Sequence, residues 1–281
     1  MIETDPGSSP LPRTDVVEAR PVSRAEPGVP VRPPSPLELP ALSRRSAALD
    51  LGLIALVALV VPYGVRLVLL FTAADVSVDE LAIPLLTVQK WFDVALAAGL
   101  TLYVVLRHAL PPTSFGLRHE RPLGQLSWSL AGVAAAYGWL VATMLLLGFL
   151  MMLFPKVKDA VLERRELLGL MPVHNLLATV LLLVPVAVHE ELLFRGLLLP
   201  YLRRALGHWP AAIVVSSSVF AVLHFDQGWV GVLQVFGLGI VFSLIFLGSR
   251  SLLAVIVAHF LFDFAQFQLI RWMPDWVFEA H

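Results

Sequence analysis

Residues 179–202 read TVLLLVPVAVHEELLFRGLLLPYL. The stretch is apolar enough to lie in lipid, yet it holds His189, Glu190, Glu191 and Arg195 in its middle. A charge at the bilayer centre costs about 2.5–3.5 kcal/mol on insertion scales. A chain keeps four ionisable groups there only when they pair with one another or carry a function. Which of these holds depends on whether the rest of the chain is a membrane protein.

Composition answers that. The 281 residues are 58% hydrophobic and 15% charged, with a mean hydropathy of +0.80. A soluble domain runs at about 45–50% apolar and about 25% charged. Apolar runs near the length that crosses a hydrocarbon core, about 20 residues of helix, recur along the chain. The fold class expected is therefore all-α, a polytopic transmembrane helical bundle. A net charge of −1 gives no basic surface for nucleic acid, and the lack of cysteine excludes disulfides, thiol nucleophiles and thiolate metal sites.

Residues 1–45 differ from the remainder. They hold ten of the 21 prolines and six arginines, a composition that cannot bury enough apolar surface to fold. They read as a disordered Pro/Arg-rich cytoplasmic tail, with no apolar h-region to make a signal peptide. Residues 46–281 read as the transmembrane domain. Seven spans are expected, at about 47–73, 88–107, 126–154, 173–200, 209–226, 229–248 and 251–272. Leu81–Val88 (LAIPLLTV) reads as a re-entrant piece or an extra half-span, which would make eight, and the basic segment 155–172 reads as an interfacial helix. Arg44 and Arg45 before the first span place the N-terminus in the cytoplasm by the positive-inside rule. The Arg- and Ala-rich composition points to a bacterial plasma membrane.

The ionisable residues inside these spans are spaced with a pattern. Glu191 and Arg195, Phe220 and His224, and His259 and Asp263 are each i,i+4, so each pair shares a helix face. Glu190 and His224 are equally far from Gly207, where the chain turns between the fourth and fifth spans. An antiparallel hairpin pivoting there brings both to one depth, roughly 25 Å from the turn at 1.5 Å per residue. His259 and Asp263 lie about 14 and 20 Å past Arg250 by the same rise. These residues converge on one level.

A desolvated glutamate beside a histidine makes a general-base pair, and a second histidine with a carboxylate on its own face can donate to a developing oxyanion. Other intramembrane protease chemistries fit less well. A zinc protease motif H-E-x-x-H is broken here by Leu193. Ser216, Ser217 and Ser218 lack a nucleophile-elbow pattern and read as small residues at a helix interface. A pair of facing aspartates is missing, since Asp263 is the deep one among the clustered helices.

The order E-E-x-x-x-R, F-x-x-x-H, H-x-x-x-(N/D) resembles the three motifs of the CAAX prenyl endopeptidase and bacteriocin-processing family, also called Abi or CPBP. Here they stand at Glu190–Arg195, Phe220–His224 and His259–Asp263, within about residues 173–272. The resemblance implies an intramembrane endopeptidase acting on a membrane-associated or precursor peptide. In it, Glu190 and His224 would activate a water, while His259 and Asp263 would form the oxyanion site. Members related to the eukaryotic enzymes carry Asn at the last position; this chain has Asp263. The glutamate-and-water mechanism requires no cofactor. Zinc is the alternative, with Glu190, His224, His259 and Asp263 as its ligands.

The remaining residues take plainer roles. Glu191 with Arg195 reads as a buried structural ion pair, and His189 as helix packing or pore lining. Pro185 is expected to kink its span, Arg66 to pair with Asp93, and Trp272 and Trp276 to anchor at the interface. The expected partners are the bilayer and a peptide or membrane-protein substrate, with no nucleic acid. The competing class is a non-enzymatic membrane protein, either a proton-coupled transporter or an immunity or partner protein, using the same buried cluster.

Overall fold

In the computed structural model the described residues are 42–62, 78–118, 122–169 and 176–272, with the single residues 37, 39, 64 and 68. The arginine at 66, the tryptophan at 276 and most of the proline-rich segment lie outside them. The end of that segment does not: Leu37, Leu39 and Leu42 are buried. The Arg204 Nε donates to the Leu42 carbonyl.

Among the described residues every element is helical. Helix α1 spans Arg44–Ala55 and runs into a π-helical turn, Leu56–Val60; α2 spans Val78–His108, α3 Pro122–Leu153 and α4 Pro155–Gly169. Helix α5, Leu176–Glu191, continues through a π-helical stretch, Leu192–Leu198, into α6, Leu199–Leu206. Helices α7, Trp209–Val222, α8, Gly228–Ser249, and α9, Leu252–Trp272, complete the order.

Five helical stretches are long and apolar enough to cross a bilayer: Leu86–His108, Pro122–Leu153, Leu176–Leu206, Phe225–Ser249 and Leu252–Trp272. They match five of the seven expected spans within a few residues. The other two differ. The described part of the first is too short for that test. Helix α7 has 14 residues, which at 1.5 Å per residue is about 21 Å, short of a core of about 30 Å. Leu81–Val88, expected as an extra half-span, is simply the beginning of the unbroken α2. Residues Pro155–Gly169 are helical as expected of a basic segment, and α4 packs on α3 and α8.

Large apolar side chains stay uncovered on the long helices, among them Leu106 at 73%, Leu145 at 72% and Met152 at 84% exposure. A water-soluble protein does not leave such a surface open; a lipid-facing one has no reason to close it. Inside, small residues set the spacing. A Cβ on Gly239 would come within 2.9 Å of Ser217 Cβ, and the Trp139 ring already fills the place of a Cβ on Gly237. Trp139 Nε1 donates to the Gln234 carbonyl at 2.9 Å, fastening α3 to α8. Ser217 thus serves helix contact, as read from the sequence.

The turn that decides the site is at Gly207. Its φ of +91° ends α6 in the left-handed region, which glycine adopts without strain. His208 then caps α7, accepting from Ala211 N at 3.2 Å. Helix α5 packs on α2 and α9, and α9 on α3, so α9 is held between α3 and α5 while α7 runs along α8.

Candidate active site

Glu190 and Glu191 close α5, and the wider turns of Leu192–Leu198 follow directly. The helix continues through Pro185; its departure from α geometry comes after the glutamates, at the expected kink's C-terminal side. Leu199 N donates to the Phe194 carbonyl, an i→i−5 bond. Such π segments leave backbone and side chains displaced from regular spacing and recur at functional sites. Here the segment carries Arg195.

The structure brings together all four residues assigned to chemistry. Glu190 Oε1 is 4.0 Å from His224 Nε2, and Glu190 Oε2 is 3.9 Å from His259 Nε2. His259 Nε2 is 3.2 Å from Asp263 Oδ2. Glu190 is buried, whereas the side chains of His224 and Asp263 keep 22% and 26% of their exposure. The cluster is therefore open on the His224–Asp263 side and closed on the glutamate side.

His224 is not on a regular helix, contrary to the span expected over 209–226. Helix α7 stops at Val222, and His224 begins a 3₁₀ turn, Phe225–Gln227. The i,i+4 relation to Phe220 survives as a contact: His224 Nδ1 is 2.7 Å from the Phe220 carbonyl, and the two rings meet edge to face at 4.7 Å. A carbonyl only accepts, so Nδ1 carries the hydrogen. In the neutral ring Nε2 is then the lone-pair nitrogen, and it faces Glu190.

Glu191 has two partners. Its Oε1 accepts from Arg195 Nη1 at 2.9 Å, the ion pair read from the sequence. The same oxygen is 2.7 Å from His259 Nδ1. Sequence spacing gave Glu191 to Arg195 alone; the second bond crosses from α5 to α9 between residues 68 apart, and no local pattern announces it. Arg195 is 1% exposed. Its remaining surface is filled by the Gly239 carbonyl at 3.3 Å and by the Phe220 and Phe242 rings, 4.8 and 5.6 Å from its guanidinium carbon.

Phe242, on α8, also stacks on His259 at 5.1 Å with an interplanar angle of 24°. It was not singled out in the sequence, since a phenylalanine in an apolar helix carries no signal. His259 is consequently fixed on three sides, by Glu191 at Nδ1, Asp263 at Nε2 and Phe242 on its face. His189 stays half-buried outside the cluster, with Nδ1 buried and without a hydrogen-bond partner. Asp93, expected to pair with the arginine at 66, stands 3.7 Å from Lys90 Nζ on its own helix.

Among the described residues no three His, Asp or Glu side chains are grouped to hold an ion. Nε2 of His259 is already turned to Asp263, and the carboxylate of Glu190 is about 4 Å from both imidazoles.

Residues 172–265 match the Rce1-like family, type II CAAX prenyl endopeptidase Rce1-like. The match covers about a third of the chain and contains all three motifs. The resemblance stated from those motifs is the family found. No curated protein and no solved structure matches the chain. Five helices long and apolar enough to cross a bilayer support an integral membrane protein, and its residues 172–265 are similar to the type II CAAX prenyl endopeptidases.

Proposed function

We propose that the chain is an intramembrane endopeptidase that hydrolyses a peptide bond of a membrane-associated or precursor peptide, with Glu190 and His224 activating the water. The observation that carries this is the 4.0 Å gap between Glu190 Oε1 and His224 Nε2. It is too long for a direct hydrogen bond and suits one water held about 2.8 Å from each. With its Nδ1 hydrogen committed to Phe220, His224 offers Nε2 to the water, and Glu190 offers a carboxylate oxygen.

The chemistry follows in order. The water oxygen attacks the scissile carbonyl carbon and one water proton passes to Glu190. The carbonyl oxygen becomes an oxyanion, which shares the His259 Nε2 hydrogen with Asp263 in a three-centre hydrogen bond while the ring stays in place. Glu190 then returns the proton to the departing amine as the C–N bond breaks. The products are a carboxylate and an amine, with water consumed. Asp263 here orients His259, a role that needs an acceptor and is compatible with its departure from Asn.

The paired glutamates divide the work: Glu190 faces the two imidazoles, while Glu191 holds Arg195 and His259 in place. Counting the helix that starts at Arg44 and the short α7 as membrane-inserted brings the five long spans to the seven of the sequence reading.

The test compares membrane fractions of cells carrying the natural chain or Glu190→Gln, with quantification of protein termini. A precursor accumulates in the variant, its new terminus vanishes, and the variant purifies in natural yield. General-base loss corresponds to a rate decrease of about 10²–10⁴. Unchanged termini in a well-folded variant overturn the proposal, and would favour a transport or partner role for the cluster.

A further inference from the structure

Asp93 and His189 are deep ionisable residues that the chemistry above leaves unused. Asp93 lies on α2 and His189 on α5, and those two helices pack against each other. Asp93 Oδ2 is 3.7 Å from Lys90 Nζ, while its Oδ1 is buried and has no hydrogen-bond partner among the described residues. His189 Nδ1 is buried and orphaned in the same way. The two side chains are near enough for their charges to act on each other, and both act on Glu190.

A buried polar atom is costly unless it is bonded, and where the protein supplies no partner an ordered water does. A carboxylate oxygen and an imidazole nitrogen suit one bridging water, which donates to the first and either donates to or accepts from the second. The polar groups also continue outward. Thr87, Lys90 and Asp93 recur every three residues, on one face of an otherwise apolar helix. Exposure falls along that face, from 28% for the Lys90 side chain to 3% for Asp93. A partly exposed ammonium on a membrane helix turns to headgroups and water, so Lys90 marks the wet end of the stripe and Glu190 lies beyond its buried end.

The catalytic cluster has a use for such a path. Its opening is on the His224–Asp263 side, where the two side chains keep 22% and 26% of their exposure, against 12% for Glu190 and 6% for His259. A peptide carbonyl presented to His259 enters there and covers the opening. Each turnover consumes one water, and the hydrocarbon around the helices has none to give.

We propose that Lys90, Asp93 and His189 line a polar route between α2 and α5 by which the hydrolytic water reaches Glu190 from the glutamate side of the cluster, with a water held between Asp93 Oδ1 and His189 Nδ1 at its narrowest part. The route rests on the protease reading and deepens it: substrate and water arrive from different sides. Asp93 and His189 are positioning residues for that water and touch no reacting carbonyl. This is the pore-lining role open to His189 in the sequence.

The test compares Asp93→Asn with Asp93→Leu in the full chain. Both remove the same charge, so a structural ion pair with Lys90 is lost equally in each; only asparagine still holds a water. Two readouts are taken. One is the rate at which the new protein terminus appears in membranes, with Glu190→Gln as the inactive reference. The other is deuterium exchange of the His189 ring Cε1 hydrogen, followed by mass spectrometry on purified protein, which needs no substrate; His208, on the turn after α6, is the internal reference. Processing in Asp93→Asn stays within about threefold of the natural chain, while both processing and His189 exchange are about tenfold slower in Asp93→Leu than in Asp93→Asn, with His208 unchanged. Equal rates in the two variants, whether natural or reduced, or an equal slowing at His208, overturn the proposal. If Glu190→Gln loses the terminus and the Asp93 variants agree, the route alone fails; if Glu190→Gln processes naturally, the protease reading fails and the route with it. Melting temperatures are read alongside. Should Asp93→Leu not fold, His189→Gln and His189→Leu are compared for processing instead, with the same tenfold difference expected and equal rates overturning the proposal.

Discussion

Glu191→Gln is the substitution whose consequence the structure fixes most firmly. The side chain is fully buried, and one oxygen serves Arg195 at 2.9 Å and His259 at 2.7 Å. Glutamine keeps the shape and one acceptor but removes the charge, leaving the Arg195 guanidinium 1% exposed and without its counter-ion. Breaking a buried pair from one side costs about 3–5 kcal/mol, against a total stability of about 5–15 kcal/mol. At about 2–4 °C per kcal/mol for a chain of this size class, the melting temperature falls by roughly 6–20 °C. The two rings over Arg195 and the Gly239 carbonyl cannot offset this, because none carries a full negative charge. The assay is thermal unfolding of the detergent-purified chain by tryptophan fluorescence, with size-exclusion profiles before heating. Neutralising both partners, in Glu191→Gln/Arg195→Gln, leaves no lone charge and recovers part of the loss. The reasoning is refuted if the single variant melts within a few degrees of the natural chain, or if the double variant is no more stable than the single one.

Three further outcomes are expected. Asp263→Asn keeps an acceptor within reach of His259 Nε2 and exchanges a charge-assisted bond for a neutral one, so kcat/KM falls by only about tenfold; Asp263→Leu, which has no acceptor, falls further. Activity survives exhaustive chelation in micelles, and purified protein carries no stoichiometric zinc by elemental analysis; loss on chelation with recovery on zinc alone would recast His224 and His259 as ligands. Gly237→Ala pushes a methyl into the Trp139 ring and lowers stability by about 1–3 kcal/mol in denaturation, while Gly99→Ala, with nothing within 4 Å of the new methyl, is neutral or slightly stabilising.

Much of the site is visible along the chain because helix geometry is local. The i,i+4 spacing puts Glu191 with Arg195 and His259 with Asp263, and both pairs form. The equal spacing of Glu190 and His224 about Gly207 is a statement about a hairpin of constant rise, and it brings the two within 4.0 Å. Where the rise is not constant the sequence misleads. Helix α7 ends two residues before His224, and the Leu192–Leu198 stretch widens after the glutamates. Neither feature changes hydropathy, so neither interrupts the apolar pattern from which spans are read. The arginine at 66, expected to pair with Asp93, lies outside the described residues; Asp93 stands near Lys90, one turn away on the same helix.

Composition and motif order determine a membrane-spanning helical protein with a buried Glu, His and Asp cluster, because burying charge in lipid is too costly to be accidental and helical periodicity dictates which residues share a face. Tertiary structure alone decides what that cluster is: that Glu191 reaches across to His259 and that Phe242 fixes the same ring. Those contacts join residues far apart in the chain, and they depend on how helices pack, which is set by the small side chains between them and leaves no periodic trace in the sequence.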